Sequence, residues 1–148
     1  MEAYDLSLTQ TTPTTLSQAR YNLSSTNIGN FALFAGGRGS NSTYDTVDAY
    51  DSSLTRNTPT VLSQARQLLS ATSIDNFALF AGGGTSTTTI TPYATVDVYD
   101  KSLTRISILT LSSEKYNLAA TSIGNYALFA GGTNGSTTYS TVDAFTIV

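Results

Sequence analysis

The sequence contains three tandem copies of one unit, and this repeat limits the fold to architectures that are assembled from copies of one small motif. The segment from Tyr4 to Gly37 matches the segment from Tyr50 to Gly83 at 25 of 34 positions without a gap. A third, more divergent copy starts at Tyr99. We therefore expect one domain over residues 1–148, with repeats at about 4–49, 50–98 and 99–148.

Each repeat has the pattern of four short strands joined by turns. The first strand is rich in small residues, the second is the apolar segment FALFA or YALFA, the third carries a Val-Asp pair, and the fourth is Thr-rich. A tight turn at Gly29, Asp75 or Gly124 follows the first strand, and Gly-Gly ends the second. Ser and Thr occupy 45 of the 148 positions and helix formers are scarce, so we expect an all-β fold.

Proline marks the end of the fourth strand in two of the repeats. Pro13 and Pro59 are expected to stop it, because proline cannot donate to a strand ladder. The third repeat has Leu109 and Thr110 in this region, so its last turn is expected to differ.

Three motifs of the repeat together resemble those of kelch repeats. They are an Arg before the inner strand, an apolar strand that ends in Gly-Gly, and a Val-Asp-x-Tyr-Asp strand. The resemblance implies a β-propeller in which each repeat forms one four-stranded blade. Kelch blades usually carry a Trp after Tyr-Asp, whereas this chain holds Thr11, Asn57 and Ile106 there. The segments AYDSSLTR and NYALFAGG are also similar to repeat arrays of bacterial and phage surface proteins.

Three blades do not close a ring, because propellers typically have four to eight. The chain begins at the third or fourth strand of a blade and ends on a third strand, so a second copy could supply each missing strand. We therefore expect a kelch-like propeller with a six-bladed ring completed as a homodimer. The alternative is a piece of a longer repeat array.

Charge and composition exclude several partners. The net charge is −3 and the few cations are scattered, so we expect no nucleic-acid binding. The chain has neither Cys nor His, which removes thiolate and imidazole ligands, and no cofactor is expected. No run of 18 apolar residues and no signal peptide are present, so we expect a soluble chain without a membrane partner. The resemblance leaves a bacterial surface or a phage particle as the location of a parent protein.

Candidate binding residues lie on the face where the repeats differ from one another. The loops at 38–45, 84–94 and 133–140 vary in length and sequence, and variable loops on a rigid scaffold are typical of binding surfaces. Each loop ends near a tyrosine that could contact a sugar or a protein epitope, or could instead pack on the next blade. The candidates on these loops are Arg38, Tyr44, Tyr93 and Tyr139.

Arg20, Arg66 and Lys115 precede the inner strands on the same face. They could surround the mouth of a channel and attract an anion, or each could pair with a carboxylate or cap loop carbonyls in its own blade. The repeated Asp48, Asp97 and Asp143 are expected to accept backbone N–H groups, as are Asp5, Asp51 and Asp100 in their turns.

These features favour a non-catalytic scaffold or interaction module that presents a variable loop face to a protein or a glycan. One alternative is a structural or designed self-assembling propeller without a natural ligand. The other is a carbohydrate-active enzyme, which needs two acids at a defined separation. The acids outside the repeated frame are Glu2, Asp45, Asp75 and Glu114, and they form no such pair in the sequence pattern.

Overall fold

A computed structural model describes residues 1–86 and 88–146, and over these residues the protein is all-β. Thr87, within the predicted loop at 84–94, and residues 147 and 148, at the end of the third repeat, lie outside the described residues. Fifteen strands form five antiparallel sheets. No helix in the described part of the chain is long and apolar enough to cross a membrane.

In chain order the strands are β1 (Ala3–Tyr4), β2 (Gln10–Thr11), β3 (Ser24–Ile28), β4 (Phe31–Ala35), β5 (Val47–Tyr50), β6 (Arg56–Asn57), β7 (Ser70–Ile74), β8 (Phe77–Ala81), β9 (Gly84–Ser86), β10 (Ile90–Pro92), β11 (Thr95–Tyr99), β12 (Arg105–Thr110), β13 (Ala119–Ile123), β14 (Tyr126–Ala130) and β15 (Val142–Thr146). The first unit is the sheet β3-β4-β5-β6, the second is β7-β8-β11-β12, and the third is β13-β14-β15. The hairpins β1-β2 and β9-β10 form the two remaining sheets.

The three units agree with the strand pattern of the repeats. Two of them have four strands in chain order, and the third has three within the described residues, as expected for a repeat without its outer strand. In the first unit β6 is two residues long and Pro59 follows it closely, whereas β12 runs for six residues to Thr110. The longer strand fits the absence of proline, since every residue of β12 can donate to the ladder.

An aspartate organises each turn between the third and fourth strands. Oδ1 of Asp51 accepts the amides of Ser53 and Thr55, both at 3.0 Å. Asp5 and Asp100 accept the equivalent amides, so the prediction for these three residues is confirmed. Each turn also holds a leucine with a positive φ: 59° at Leu8, 61° at Leu54 and 63° at Leu103. The left-handed conformation is sterically unfavourable for leucine, so we expect each leucine side chain to make packing contacts that offset this cost.

A second set of left-handed residues precedes the inner strands. Asn22, Leu68 and Asn117 have φ values of 56°, 57° and 56°. Backbone hydrogen bonds join these equivalent positions in successive units. They run from Leu68 N to Asn22 O and from Asn117 N to Leu68 O, both at 3.0 Å. Asparagine tolerates this conformation better than leucine does.

We therefore expect Leu68→Asn to raise the free energy of unfolding by about 1 kcal/mol, because it relieves backbone strain. Urea unfolding measures the change. Leu68→Ala is the control, since alanine keeps the steric penalty, and an equal gain in both variants would contradict the explanation.

The core consists of two joints, each formed where two consecutive units meet. We call the side of a unit that meets the following unit its back face, and the side that meets the preceding unit its front face. At the first joint, Ile28, Leu33 and Val47 of the back face are buried. They pack against the front face of the second unit, which supplies Leu62, Leu69 and Phe80.

The second joint repeats the first with equivalent residues. Its back face, from the second unit, supplies Ile74, Leu79 and Val96, and its front face, from the third unit, supplies Leu111, Leu118 and Phe129. All six residues are buried. Small residues line the same sheets, including Ala78 and Ala127, which are fully buried.

Candidate functional site

A buried ion pair connects the segment before the inner strand with the third strand of each unit. In the second unit, Nη2 of Arg66 lies 2.9 Å from Oδ2 of Asp97, and both side chains are fully buried. The same nitrogen donates to the carbonyl of Phe80 at 3.0 Å. Burial lowers the pKa of Arg66, and the charge of Asp97 opposes that shift. The equivalent pairs join Arg20 to Asp48 at 2.9 Å and Lys115 to Asp143 at 2.7 Å.

These contacts are the ones that the structural interpretation of the repeated cations predicts. The side chains of Arg20, Arg66 and Lys115 have no exposed surface, and each pairs with a carboxylate of its own unit. This is the arrangement of the structural alternative, and it leaves the three cations inaccessible to an anion in solution. The aspartates also accept backbone amides of Ser17, Ser63 and Ser112, as predicted.

The carboxylate of the third unit has fewer cationic neighbours and is more exposed than those of the first two units. In the first two units a second arginine, Arg56 or Arg105, lies 3.8 or 3.7 Å from the buried aspartate. Asp143 pairs with Lys115, and its side chain is 11% exposed. Burial raises the pKa of Asp143, but hydrogen bonds from Lys115 and Ser112 outweigh that effect and hold the pKa below its ordinary value of 3.8.

We expect acid to destabilise the protein partly through Asp143. Because its pKa is lower in the folded chain, its contribution to stability is complete above the unfolded pKa and is lost as the pH falls through the folded pKa. Urea unfolding from about pH 6 down to about pH 2 measures this loss. Asp143→Asn should show a shallower dependence than the parent, and an equally steep one would contradict the assignment. The turn carboxylates Asp51 and Asp100, whose pKa values are also lowered, remain in both proteins and cancel in the comparison.

The loop tyrosines contribute backbone contacts to the joints. The carbonyl of Tyr44 accepts the amide of Arg66 at 3.1 Å, and the carbonyl of Tyr93 accepts the amide of Lys115 at 3.2 Å. The hydroxyl of Tyr139 lies 2.9 Å from Nδ2 of Asn134 in its own loop. All three tyrosines are half-buried, so packing against neighbouring groups already occupies much of each ring.

A groove of about 350 Å³ lies on the variable loop face of the first unit. Tyr21, Gly39 and Ser40 line it together with Ala19 and Arg20. Tyr21 is 53% exposed, more than the predicted loop tyrosines. Its backbone pairs with Arg38, so the predicted candidate Arg38 positions this tyrosine through two hydrogen bonds, of 2.9 and 2.8 Å.

The loop of the second unit differs from the other two in forming a hairpin, β9-β10. Thr85 pairs with Thr91 and Ser86 pairs with Ile90. Thr88, Thr89 and Thr91 are exposed, which places several hydroxyl groups at the tip of this loop. The sequence predicts only a variable loop here, and Ile90, a single apolar residue among threonines, gives no alternating pattern that would indicate strands.

Two apolar faces remain without a neighbouring unit in this chain. The front face of the first unit, formed by Leu16, Leu23 and Phe34, borders a cavity of about 780 Å³. On the back face of the third unit, Ile123 is 67% exposed and Val142 is 60% exposed. Sequence reasoning did not single out these residues, although alignment of the repeats makes them equivalents of buried joint residues.

Most acidic side chains of the described residues lie in ion pairs or turns. Within the described residues no group of three or more His, Cys, Asp or Glu side chains could hold a metal ion. The buried aspartates are paired with cations, which leaves no adjacent pair of free carboxyl groups among them. Comparison with protein-family models and with curated proteins found no match.

Proposed function

We propose that the chain is half of a kelch-like β-propeller, which two copies complete as a six-bladed ring, and that the ring is a non-catalytic interaction module. The observation that carries this proposal is the complementarity of the two uncovered faces. The front face of the first unit has Leu16, Leu23 and Phe34 where the buried joints have Leu, Leu and Phe. The back face of the third unit repeats the Ile, Leu and Val of those joints.

Backbone groups at the two faces are complementary as well. At the first joint, Leu62 N donates to Asp45 O at 2.8 Å and Gly37 N donates to Arg66 O at 2.9 Å. The second joint repeats these bonds, from Leu111 N to Ala94 O at 2.8 Å and from Gly83 N to Lys115 O at 2.9 Å. A front face of one copy that meets the back face of another can form the same bonds, which gives a register as well as an apolar contact.

The mass of the protein in solution tests self-association. We expect a single species at twice the chain mass of 15.6 kDa in light scattering. Val142→Asp should reduce the mass to that of one chain, because it places a charge where the joints bury Val47 and Val96 completely. Ser136→Asp, an exposed loop change, is the control and should leave the mass unchanged. A parent protein at 15.6 kDa, or a Val142→Asp protein that keeps the parent mass, would contradict the proposal.

The groove beside Tyr21 is the part of the module that supports glycan binding. An exposed tyrosine ring beside hydroxyl and backbone groups can stack on a sugar ring and donate hydrogen bonds to its hydroxyls. We expect the protein to bind sugars on a glycan array. Tyr21→Ala should weaken this binding at least tenfold, whereas Tyr21→Phe, which retains the ring, should preserve it. Absence of binding on the array, or binding that survives Tyr21→Ala, would exclude a glycan site here.

A further inference from the structure

We propose that β2 of one chain exchanges its partner β1 for the open edge of β15 in a second copy, and that the turn before β2 inserts Leu8 into the joint between the second and third units of that copy. This inference rests on the proposed self-association and adds the element that completes the contact. It assigns a role to the hairpin, whose apolar residues Leu6 and Leu8 are almost fully exposed.

Within the described residues, one edge of β15 lacks the partner strand that its equivalents β5 and β11 have. In the first two units the third strand pairs on both sides, since β6 covers β5 and β12 covers β11. Within the described residues β15 pairs with β14 alone, although it is five residues long. An uncovered strand edge presents unpaired N–H and C=O groups and is a template for a strand from another chain.

The hairpin itself has the register that this edge requires. In the first unit Ala49 pairs with Asn57, and in the hairpin Ala3 pairs with Thr11. The repeat places Ala144 in the same position as Ala49 and Ala3, so Thr11 of a second copy would face Ala144. A two-stranded hairpin is marginally stable on its own. When β2 pairs with the longer β15 in place of β1, it becomes the fourth strand of the sheet β13-β14-β15.

Leu8 is the second and independent observation. Its equivalent Leu103 has nearly the same positive φ but packs against the first joint, as Phe31 does. That packing compensates for the backbone strain. Leu8 bears the strain while 79% exposed. At the second joint Phe77 occupies the position of Phe31, and none of the described residues of this chain supplies a leucine equivalent to Leu103 there.

A second copy fits this arrangement. The segment after the hairpin is tied to the first unit, since Nη1 of Arg56 donates to the carbonyl of Thr15 at 2.7 Å. The hairpin therefore starts beside the first unit of its own chain. Suppose that the back face of the third unit in one copy covers the front face of the first unit in the other copy. The open edge of β15 in the former copy then lies beside the hairpin of the latter.

Substitution of the two hairpin leucines separates insertion from general apolar attraction. Leu8→Asp is expected to weaken self-association at least tenfold in sedimentation or dilution measurements, because each ring contains two such leucines. Leu6→Asp is the matched control: its equivalents Ser52 and Lys101 are exposed, and we expect less than a twofold change. Equal effects of the two substitutions would overturn the insertion of Leu8.

A cross-link tests the docking of the strand. The chain has no cysteine, so Thr11→Cys combined with Ala144→Cys adds the only two thiols. Directly paired residues on antiparallel strands have Cα atoms about 4.5–5.5 Å apart, which a disulfide can bridge. We expect a covalent dimer on a non-reducing gel, and mostly single chains for either substitution alone. A non-covalent dimer without the cross-link would overturn this inference and leave the proposed ring intact, whereas a parent protein that stays a single chain would overturn the ring itself.

Discussion

Replacement of Asp97 by asparagine is expected to lower the free energy of unfolding by about 3 to 5 kcal/mol, the cost of leaving one partner of a buried ion pair without the other. Asparagine keeps the shape of the side chain and can still accept the amide of Ser63. It removes the charge that faces the fully buried guanidinium of Arg66. Because domains of this size are stabilised by about 5 to 15 kcal/mol in total, the variant should unfold at a much lower urea concentration.

Asp100→Asn is the matched control for this prediction. Asp100 follows Asp97 by three positions but lies in an exposed turn, where it accepts hydrogen bonds from Ser102 and Thr104. Asparagine can accept the same bonds, so we expect a small change in the urea midpoint. Loss of stability in both variants to the same extent would show that the charge of Asp97 is unimportant for the fold.

The repeat allowed much of this fold to be predicted from the sequence. The positive φ values at Gly29, Asp75 and Gly124 follow directly from turn chemistry that recurs in each copy. The buried pair of Arg66 and Asp97 was one of two alternatives, because a repeated cation is compatible with both a structural and a binding role. Burial decides between these roles, and burial depends on how the units pack.

Three blades that do not close a ring already imply two open end faces, but the exposure of each residue on them, and the Tyr21 groove, depend on how the units pack. Val142 and Val96 have the same neighbours along the chain, yet Val96 is buried and Val142 is 60% exposed. The difference comes from the presence or absence of a following unit. Likewise, Tyr21 is not a loop residue in the sequence pattern, and its place beside Gly39 and Ser40 results from its pairing with Arg38.

Gly82→Ala is the second substitution with a large expected effect on stability. Gly82 has a φ of 64°, and a Cβ atom there would lie 2.6 Å from the carbonyl oxygen of Lys115 and 2.9 Å from Leu118. The left-handed conformation costs alanine about 1 to 2 kcal/mol. The contact across the second joint adds about 1 to 3 kcal/mol of overpacking. We expect urea unfolding to show a total loss of about 2 to 5 kcal/mol.

Gly131→Ala separates the conformational cost from the overpacking cost, and it also tests the proposed ring. Gly131 has nearly the same φ, 69°, but the nearest contact of its added Cβ is the carbonyl of Tyr139 at 3.7 Å, because no unit of the described residues packs on this face. A single chain should therefore lose only the conformational part, about 1 to 2 kcal/mol. In the proposed ring the partner's front face would occupy this space, as the second and third units do at Gly36 and Gly82. Gly131→Ala should then weaken self-association at least tenfold, and an unchanged dimer would mean that the two end faces do not meet as the internal joints do.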